Sequence, residues 1–248
     1  MKRSEINAII QENIELCRRF QFHLPEWALW SPEEWGRAGH DYDEIRDCKL
    51  GWDLTDYGSG KFREVGLSLF TIRNGHPSLS KYGKPYCEKL LIAGENQHTP
   101  FHFHYSKMED IICRAGGNLM VQVYNATQPD EGLDETGDVP VNIDGHQYTV
   151  PAGDIIRLTP GMSITLPQFN YHEFWGEEGH GTALVGEVSK VNDDEHDNRF
   201  LGDVARFPEI EEDEAPTYLL CNEYPPVLPG WLKQRLGWSP ACEGKCAL

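Results

Sequence analysis

From about residue 66 to residue 190 the chain consists of short runs of β-branched and aromatic residues, each closed by Gly, Pro, Asn or Asp. That texture leaves little choice of fold, because strands favour such side chains and tight turns need such breakers. Strands are expected over 67–73, 87–92, 99–105, 110–114, 118–125, 141–149, 154–158, 163–166, 172–175 and 182–189. Gly116-Gly117 and Asp144-Gly145 have the residue types of hairpin turns. So many short strands around one core predict an all-β fold, a jelly-roll β-sandwich or barrel.

The flanks read differently. Ile6, Ile9, Ile10, Ile14, Cys17 and Phe20 recur at helical spacing and predict a helix over 4–20 with Ser4 as N-cap. Ser31-Pro32-Glu33-Glu34 is a second start signal, with a cap, a proline in the first turn and a Glu three residues after the Ser. Trp27, Trp30 and Trp35 surround it and would seal this region against the main domain or a second subunit. The expected organisation is one structural domain: a helical cover over 1–65, the barrel over 66–203 and an extension over 204–248. The extension is acidic and proline-rich, with a short helical segment over 231–236 and a frayed end, and 128–138 reads as an acidic surface loop.

Charge narrows the partners. With 22 basic and 40 acidic residues the formal charge is −18, which argues against nucleic acid and against an anionic membrane surface. No apolar run approaches transmembrane length, and Met-Lys-Arg-Ser-Glu leads into a charged amphipathic segment rather than a secretory signal. The seven scattered cysteines read as reduced thiols of a cytoplasmic protein, and Cys242-x3-Cys246 has no second pair to make a zinc knuckle.

The chemistry concentrates in Phe101-His-Phe-His-Tyr-Ser-Lys-Met-Glu109. Residues two apart in a strand share a face, so His102 and His104 would point together while Phe101 and Phe103 pack on the opposite side. Glu109 follows after a connection short enough to return toward the imidazoles, and His172 is a fourth candidate ligand. Three neutral nitrogens and a carboxylate suit a mid-to-late first-row divalent ion. His98 is the nearest histidine outside this set, with a supporting or surface role expected.

These residues resemble the two signatures of the cupin superfamily, His102-x-His104-x4-Glu109-x6-Gly116 and Gly161-x5-Pro167-x4-His172. Phe169 departs from the pattern, standing where glycine is usual, so a differently shaped turn is expected before His172. A wider resemblance is to the D-lyxose isomerases, through Gly66-Leu-Ser-Leu-Phe-Thr-Ile-Arg-Asn-Gly75, Tyr86-Cys-Glu-Lys-Leu-Leu91, His104-Tyr-Ser-Lys-Met-Glu-Asp-Ile-Ile-Cys-Arg114 and Asn192-Asp-Asp-Glu-His-Asp-Asn-Arg-Phe200. The resemblance implies His102, His104, Glu109 and His172 as metal ligands, usually for manganese, with zinc, cobalt, iron and nickel as alternatives. It also implies a homodimer and aldose–ketose interconversion, D-lyxose to D-xylulose and D-mannose to D-fructose.

Such a reaction needs a group that moves a proton between C2 and C1. Lys107 beside Glu109, Lys89 in its apolar strand, and Glu187 on the face of Val185 and Ser189 are candidates, each with a solvated or ion-paired alternative. Asp197 and Arg199, in the last family-like block, would hold the base or bind sugar hydroxyls, with a surface salt bridge as the competing account. Trp175 would stack on a sugar face if it is not core. Two other readings share the ligand set or the fold: a cupin dioxygenase and a non-catalytic sugar-binding cupin. Phosphosugar isomerisation ranks lower, since no Gly-rich phosphate cradle or Arg cluster is evident.

Overall fold

The structure, a computed structural model, describes residues 1–128 and 131–237. The first helix, α1, runs Arg3–Arg19 and buries Ile6, Ile9, Ile10, Ile14 and Cys17 along one stripe. It begins a residue before the expected start, and its N-cap is Lys2 rather than Ser4. Ser4 instead donates to the Asp213 carboxylate, from N at 2.9 Å and from Oγ at 2.7 Å. The free N–H groups of the first turn are thus served from the far end of the chain. The second helix, α2 (Pro32–Arg37), starts as its sequence predicts. Ser31 Oγ accepts from Glu34 N at 3.3 Å, and Ser31 N donates to Glu34 Oε2 at 2.7 Å. A short α3 follows at Asp43–Asp47.

The strands are β1 (Gly51–Thr55), β2 (Leu67–Arg73), β3 (Tyr86–Ala93), β4 (His102–His104), β5 (Glu109–Gly116), β6 (Leu119–Ala126) and β7 (Leu133–Asp134). After them come β8 (Val139–Ile143), β9 (His146–Val150), β10 (Ile155–Leu158), β11 (Ser163–Leu166), β12 (Asn170–Gly176), β13 (Ala183–Lys190) and β14 (Asn198–Phe200). They form two sheets, an eight-stranded one in the order β1-β2-β3-β13-β5-β11-β8-β9 and a smaller one in the order β10-β6-β12-β4-β14, with β7 beside β6. Every pairing between these strands is antiparallel, as in the expected jelly roll. The expected strand over 141–149 is two strands, because Asp144 and Gly145 both take positive φ and fold it into a hairpin.

Alternation along the large sheet sorts its side chains into two cores. Leu69, Leu91, Ile111, Cys113 and Val185 meet Val121, Val123 and Phe174 of the smaller sheet between the layers. Phe70, Leu90, Ile92 and Leu184 face the other way, against the stripe of α1. The region 1–65 is not purely helical, since β1 pairs with β2 along its whole length. Both faces of β1 are buried, so the period-two signal that marks other strands is missing there. The tryptophans pack within the chain: Trp27 stacks on Phe70 at 5.0 Å, and Trp35 lies 4.1 Å from the ring of Tyr224.

The extension returns over the cover. Lys2 bridges to Glu211 and Trp52 to Leu220, and the buried Arg3 pairs with Glu212 at 2.7 Å and Glu223 at 2.5 Å. A last helix, α4, spans Gly230–Arg235, close to the expected segment. Cys242 and Cys246 lie outside the described residues. Cys17, Cys48, Cys87, Cys113 and Cys221 are buried thiols without disulfides. No helix among the described residues is long and apolar enough to cross a membrane.

Candidate metal centre

The pleat of β4 does what alternation predicts. Phe103 turns into an aromatic cluster with Tyr105, Phe169 and Tyr171, at ring distances of 5.1, 5.3 and 4.9 Å. His102 and His104 turn the other way, into the space between the sheets. The register of β12 against β4 sets His172 opposite His102, and Glu109 opens β5 from the adjoining sheet. The turn before His172 keeps a left-handed residue despite the missing glycine, since Phe169 itself has φ +59°. One ligand atom from each of His102, His104, Glu109 and His172 lies within 4.8 Å of the others.

Hydrogen bonds orient the rings. His102 Nδ1 lies 2.9 Å from Pro100 O, and His172 Nδ1 lies 3.0 Å from Asn170 O. A carbonyl can only accept, so each Nδ1 carries the proton and each Nε2 keeps its lone pair facing inward. Glu109 Oε1 sits 3.3 Å from His104 Nε2 and 3.1 Å from His172 Nε2. Both nitrogens of His104 and Nε2 of His172 are buried without a hydrogen-bond partner among the described residues. Burial holds the His102 imidazolium well below the usual histidine range, with His172 and His104 adding to the effect. Burial also lowers His104, with help from the Lys107 ammonium. For Glu109 burial opposes ionisation, but Lys107 and His104 overcome it and hold the carboxyl well below its usual range. Lone-pair nitrogens with nothing to satisfy them, converging on a carboxylate, fit a divalent cation.

Beside this cluster is a chain of charges. Lys107 Nζ donates to Glu109 Oε2 at 2.7 Å and to Glu187 Oε1 at 2.9 Å. Lys89 Nζ stands 3.2 Å from Glu187 Oε1 and donates to Asn192 Oδ1 at 2.7 Å. Ser189 Oγ donates to Glu187 at 3.2 Å. Burial alone would lower the Lys107 pKa, yet Glu109 and Glu187 raise it above the ordinary lysine range. Lys107 is thus buried between two carboxylates rather than solvated in a loop.

The remaining candidates divide. Asp197 supports the ligand segment from outside the cavity: its carboxylate accepts from Ser106 N at 2.7 Å and Lys107 N at 3.0 Å, and its carbonyl from Tyr105 N at 3.2 Å. Arg199 and Trp175 are not brought to the cavity. In β14, Asn198 and Phe200 register with His104 and His102, so Arg199 between them turns out with Phe103 and pairs with Glu131 at 3.0 Å. Trp175 lies between the inward Phe174 and Gly176 and stacks on His98 at 4.5 Å on the outer face. Glu131 makes the presumed surface loop part of the support, because Tyr105 Oη also donates to its carboxylate at 3.1 Å. Asn192, Asp194, Tyr57 and Arg206 line the cavity and were not singled out from the sequence. Asn192 and Asp194 stand in a family-like block, whereas Arg206 stands outside every such block.

Residues 1–224 match the D-lyxose isomerase family. A D-lyxose/D-mannose isomerase of Serratia proteamaculans is 51% identical over 225 residues, covering 90% of this chain and 98% of the relative. One from Escherichia coli O157:H7 is 46% identical with the same coverage. The L-ribose isomerase of Cellulomonas parahominis superposes with a TM-score of 0.56 at 16% identity, covering 85% of this chain and 98% of that one, which bears out the cupin-like fold. An L-ribose isomerase of Geodermatophilus obscurus gives the same score, identity and coverage. On a family match over residues 1–224, a range that contains both sheets and the buried cluster, the chain belongs to the D-lyxose isomerase family and is an isomerase.

Proposed function

We propose that this isomerase is metal-dependent and interconverts unphosphorylated aldoses and ketoses, D-lyxose with D-xylulose and D-mannose with D-fructose. The sugars are suggested by the activities named for its relatives. The observation that carries the chemistry is the set of buried, unpartnered imidazole nitrogens facing Glu109, one lysine away from a second buried carboxylate.

His102, His104, Glu109 and His172 would hold the ion, with manganese the first to test and zinc, cobalt, iron and nickel suited to the same donors. Bound there, a divalent ion would supply Lewis acidity to the sugar's oxygens. Glu187 is the proton carrier of this reading, because among Lys107, Lys89 and Glu187 it alone is a carboxylate free of the ligand cluster. The C2–H bond breaks toward its carboxylate, the proton returns to C1 on the same face, and the hydroxyl proton passes from O2 to O1. Lys107 and Lys89 fix the Glu187 carboxylate and offer N–H donors to the oxygen that gains charge. Asp197 holds the backbone that carries Lys107, a positioning role. Buried thiols suit the reducing cytoplasm, and the homodimer is part of the same proposal.

The test is a chelator-stripped and manganese-restored assay on a panel of unphosphorylated aldoses, read as ketose formed and oxygen consumed. Metal-dependent ketose from D-lyxose and D-mannose is the expected result. No ketose after restoration would overturn the reading, and oxygen uptake in its place would assign dioxygenase chemistry instead.

A further inference from the structure

Two apolar patterns are interrupted by a polar residue, and the interruptions face one another. On α1 the buried stripe of Ile6, Ile9, Ile10, Ile14 and Cys17 also contains Asn13. On β2, Ser68 shares the outward face of Phe70 and Ile72, which pack against that stripe. Asn13 is 4% exposed and Ser68 2%, and Asn13 Nδ2 donates to Ser68 Oγ at 3.0 Å. Among the described residues nothing donates to Asn13 Oδ1, and nothing accepts the Ser68 hydroxyl proton. Asn7, on the same helix, spends both ends of its amide. Its Nδ2 donates to Glu214 Oε1 at 2.6 Å and Ala215 O at 2.9 Å, and its Oδ1 accepts from Thr217 N at 2.9 Å.

The Asn13–Ser68 pair stands in a cleft of about 280 Å³ between α1 and the outer face of the large sheet. Ligand pockets run from roughly 300 to 1,000 Å³, so this one suits a small molecule. Ile9, Leu16, Phe62 and Ile92 give it apolar wall. Gln97 lines it too but is already spent, with Nε2 donating to Phe62 O at 2.7 Å and Oε1 accepting from Gly94 N at 3.1 Å. The charged lining residues Glu12, Glu15 and Arg63 are exposed, and Arg63 Nη2 pairs with Glu12 Oε2 at 2.7 Å. An ion would find no buried counter-charge in this cleft, and a hydrocarbon would strip water from both polar atoms without replacing it. A hydroxyl answers both at once, donating to Asn13 Oδ1 while accepting from Ser68 Oγ. A sugar ring adds a C–H face for the apolar wall.

We infer that the cleft is a second ligand site, taking a monosaccharide in its ring form with one hydroxyl seated between Asn13 and Ser68. The site is separate from the metal centre. Leu67, Leu69 and Leu91 line that cavity from the inner face of β2 and β3, whereas Ser68 and Ile92 line the cleft from the outer face. One sheet divides the two, and they share no lining residue.

The probe is radiolabelled methyl α-D-mannopyranoside, whose ring cannot open and so cannot be isomerised, in equilibrium dialysis against the manganese-loaded protein. Wild type should bind about one glycoside per chain with a Kd on the order of millimolar. Asn13→Leu completes the apolar stripe and removes the acceptor, and should weaken binding about tenfold or more. Ser68→Ala removes the donor alone and should weaken it by about threefold or more. Both variants should keep kcat and KM for D-lyxose within about twofold of wild type. No binding to wild type at about 50 mM glycoside, or equal binding by wild type and the variants, would overturn the inference. Should Asn13→Leu not fold, Ser68→Ala decides alone: unchanged binding overturns the site and weakened binding supports it. Absence of D-lyxose turnover by wild type would bring down the functional reading and leave the dialysis result standing.

Discussion

Phe169 has φ +59° in the turn that delivers His172, a backbone region where any side chain but glycine is strained. Its ring offsets part of that cost by packing 5.3 Å from Phe103, on the back of the histidine strand. Removing the ring while keeping the strain should therefore be worse than removing both. In urea unfolding, Phe169→Gly should be more stable than Phe169→Ala by about 1 kcal/mol, the reverse of the ordinary glycine penalty. Glu187 gives a second test at this scale. Glu187→Gln should lower kcat by about 10²- to 10⁴-fold while bound metal, measured by elemental analysis, stays at the wild-type level. Loss of metal together with activity would move Glu187 into the ligand set. At this scale the sequence exposed what alternation controls, namely the pairing of His102 with His104 and the outward Phe103. It could not expose the ion pair of Lys107 with Glu187, which arrives from a strand distant in sequence.

Among the elements, those with a local code were legible and those without one were not. The stripe of α1 and the capping box of α2 are written in neighbouring residues, and both helices form where the pattern puts them. The first turn of α1 has no such code, because its cap is the Asp213 carboxylate. Asp213→Ala should therefore speed hydrogen exchange at the first-turn amides of α1 and leave those of α2 unchanged. Equal exchange at α1 in variant and wild type would remove Asp213 from that role. Strands β1 and β14 were missed for different reasons. The first is buried on both faces, and the second is three residues long, so neither shows a period of two. The smaller strand matters more to the site, since it sets Asn198 and Phe200 against His104 and His102 and turns Arg199 away.

For the whole molecule, the many-strand texture was enough to indicate the architecture. It does not show that residues 209–224 are structural. Arg3 is 2% exposed at its side chain, with Glu223 at 21% and Glu212 at 57%. The better buried carboxylate should carry the pair, because an exposed one is easily replaced by water. Glu223→Ala leaves the guanidinium with only its exposed partner and should cost roughly 3 kcal/mol in thermal or urea unfolding. Glu212→Ala should cost distinctly less. A reversed order would show that exposure does not set the worth of these two contacts.

The clasp between the two ends also has a consequence for synthesis. On the ribosome, Arg3 and the opening turn of α1 emerge well before their anchors, Glu212, Asp213 and Glu223, which are translated more than 200 residues later. Until then the amphipathic stripe of α1 has a half-made sheet to rest on and nothing to fasten its start. The start of α1 is therefore fastened only once residue 223 has emerged, and slowed translation should leave the first helix open to proteolysis while the barrel already resists it.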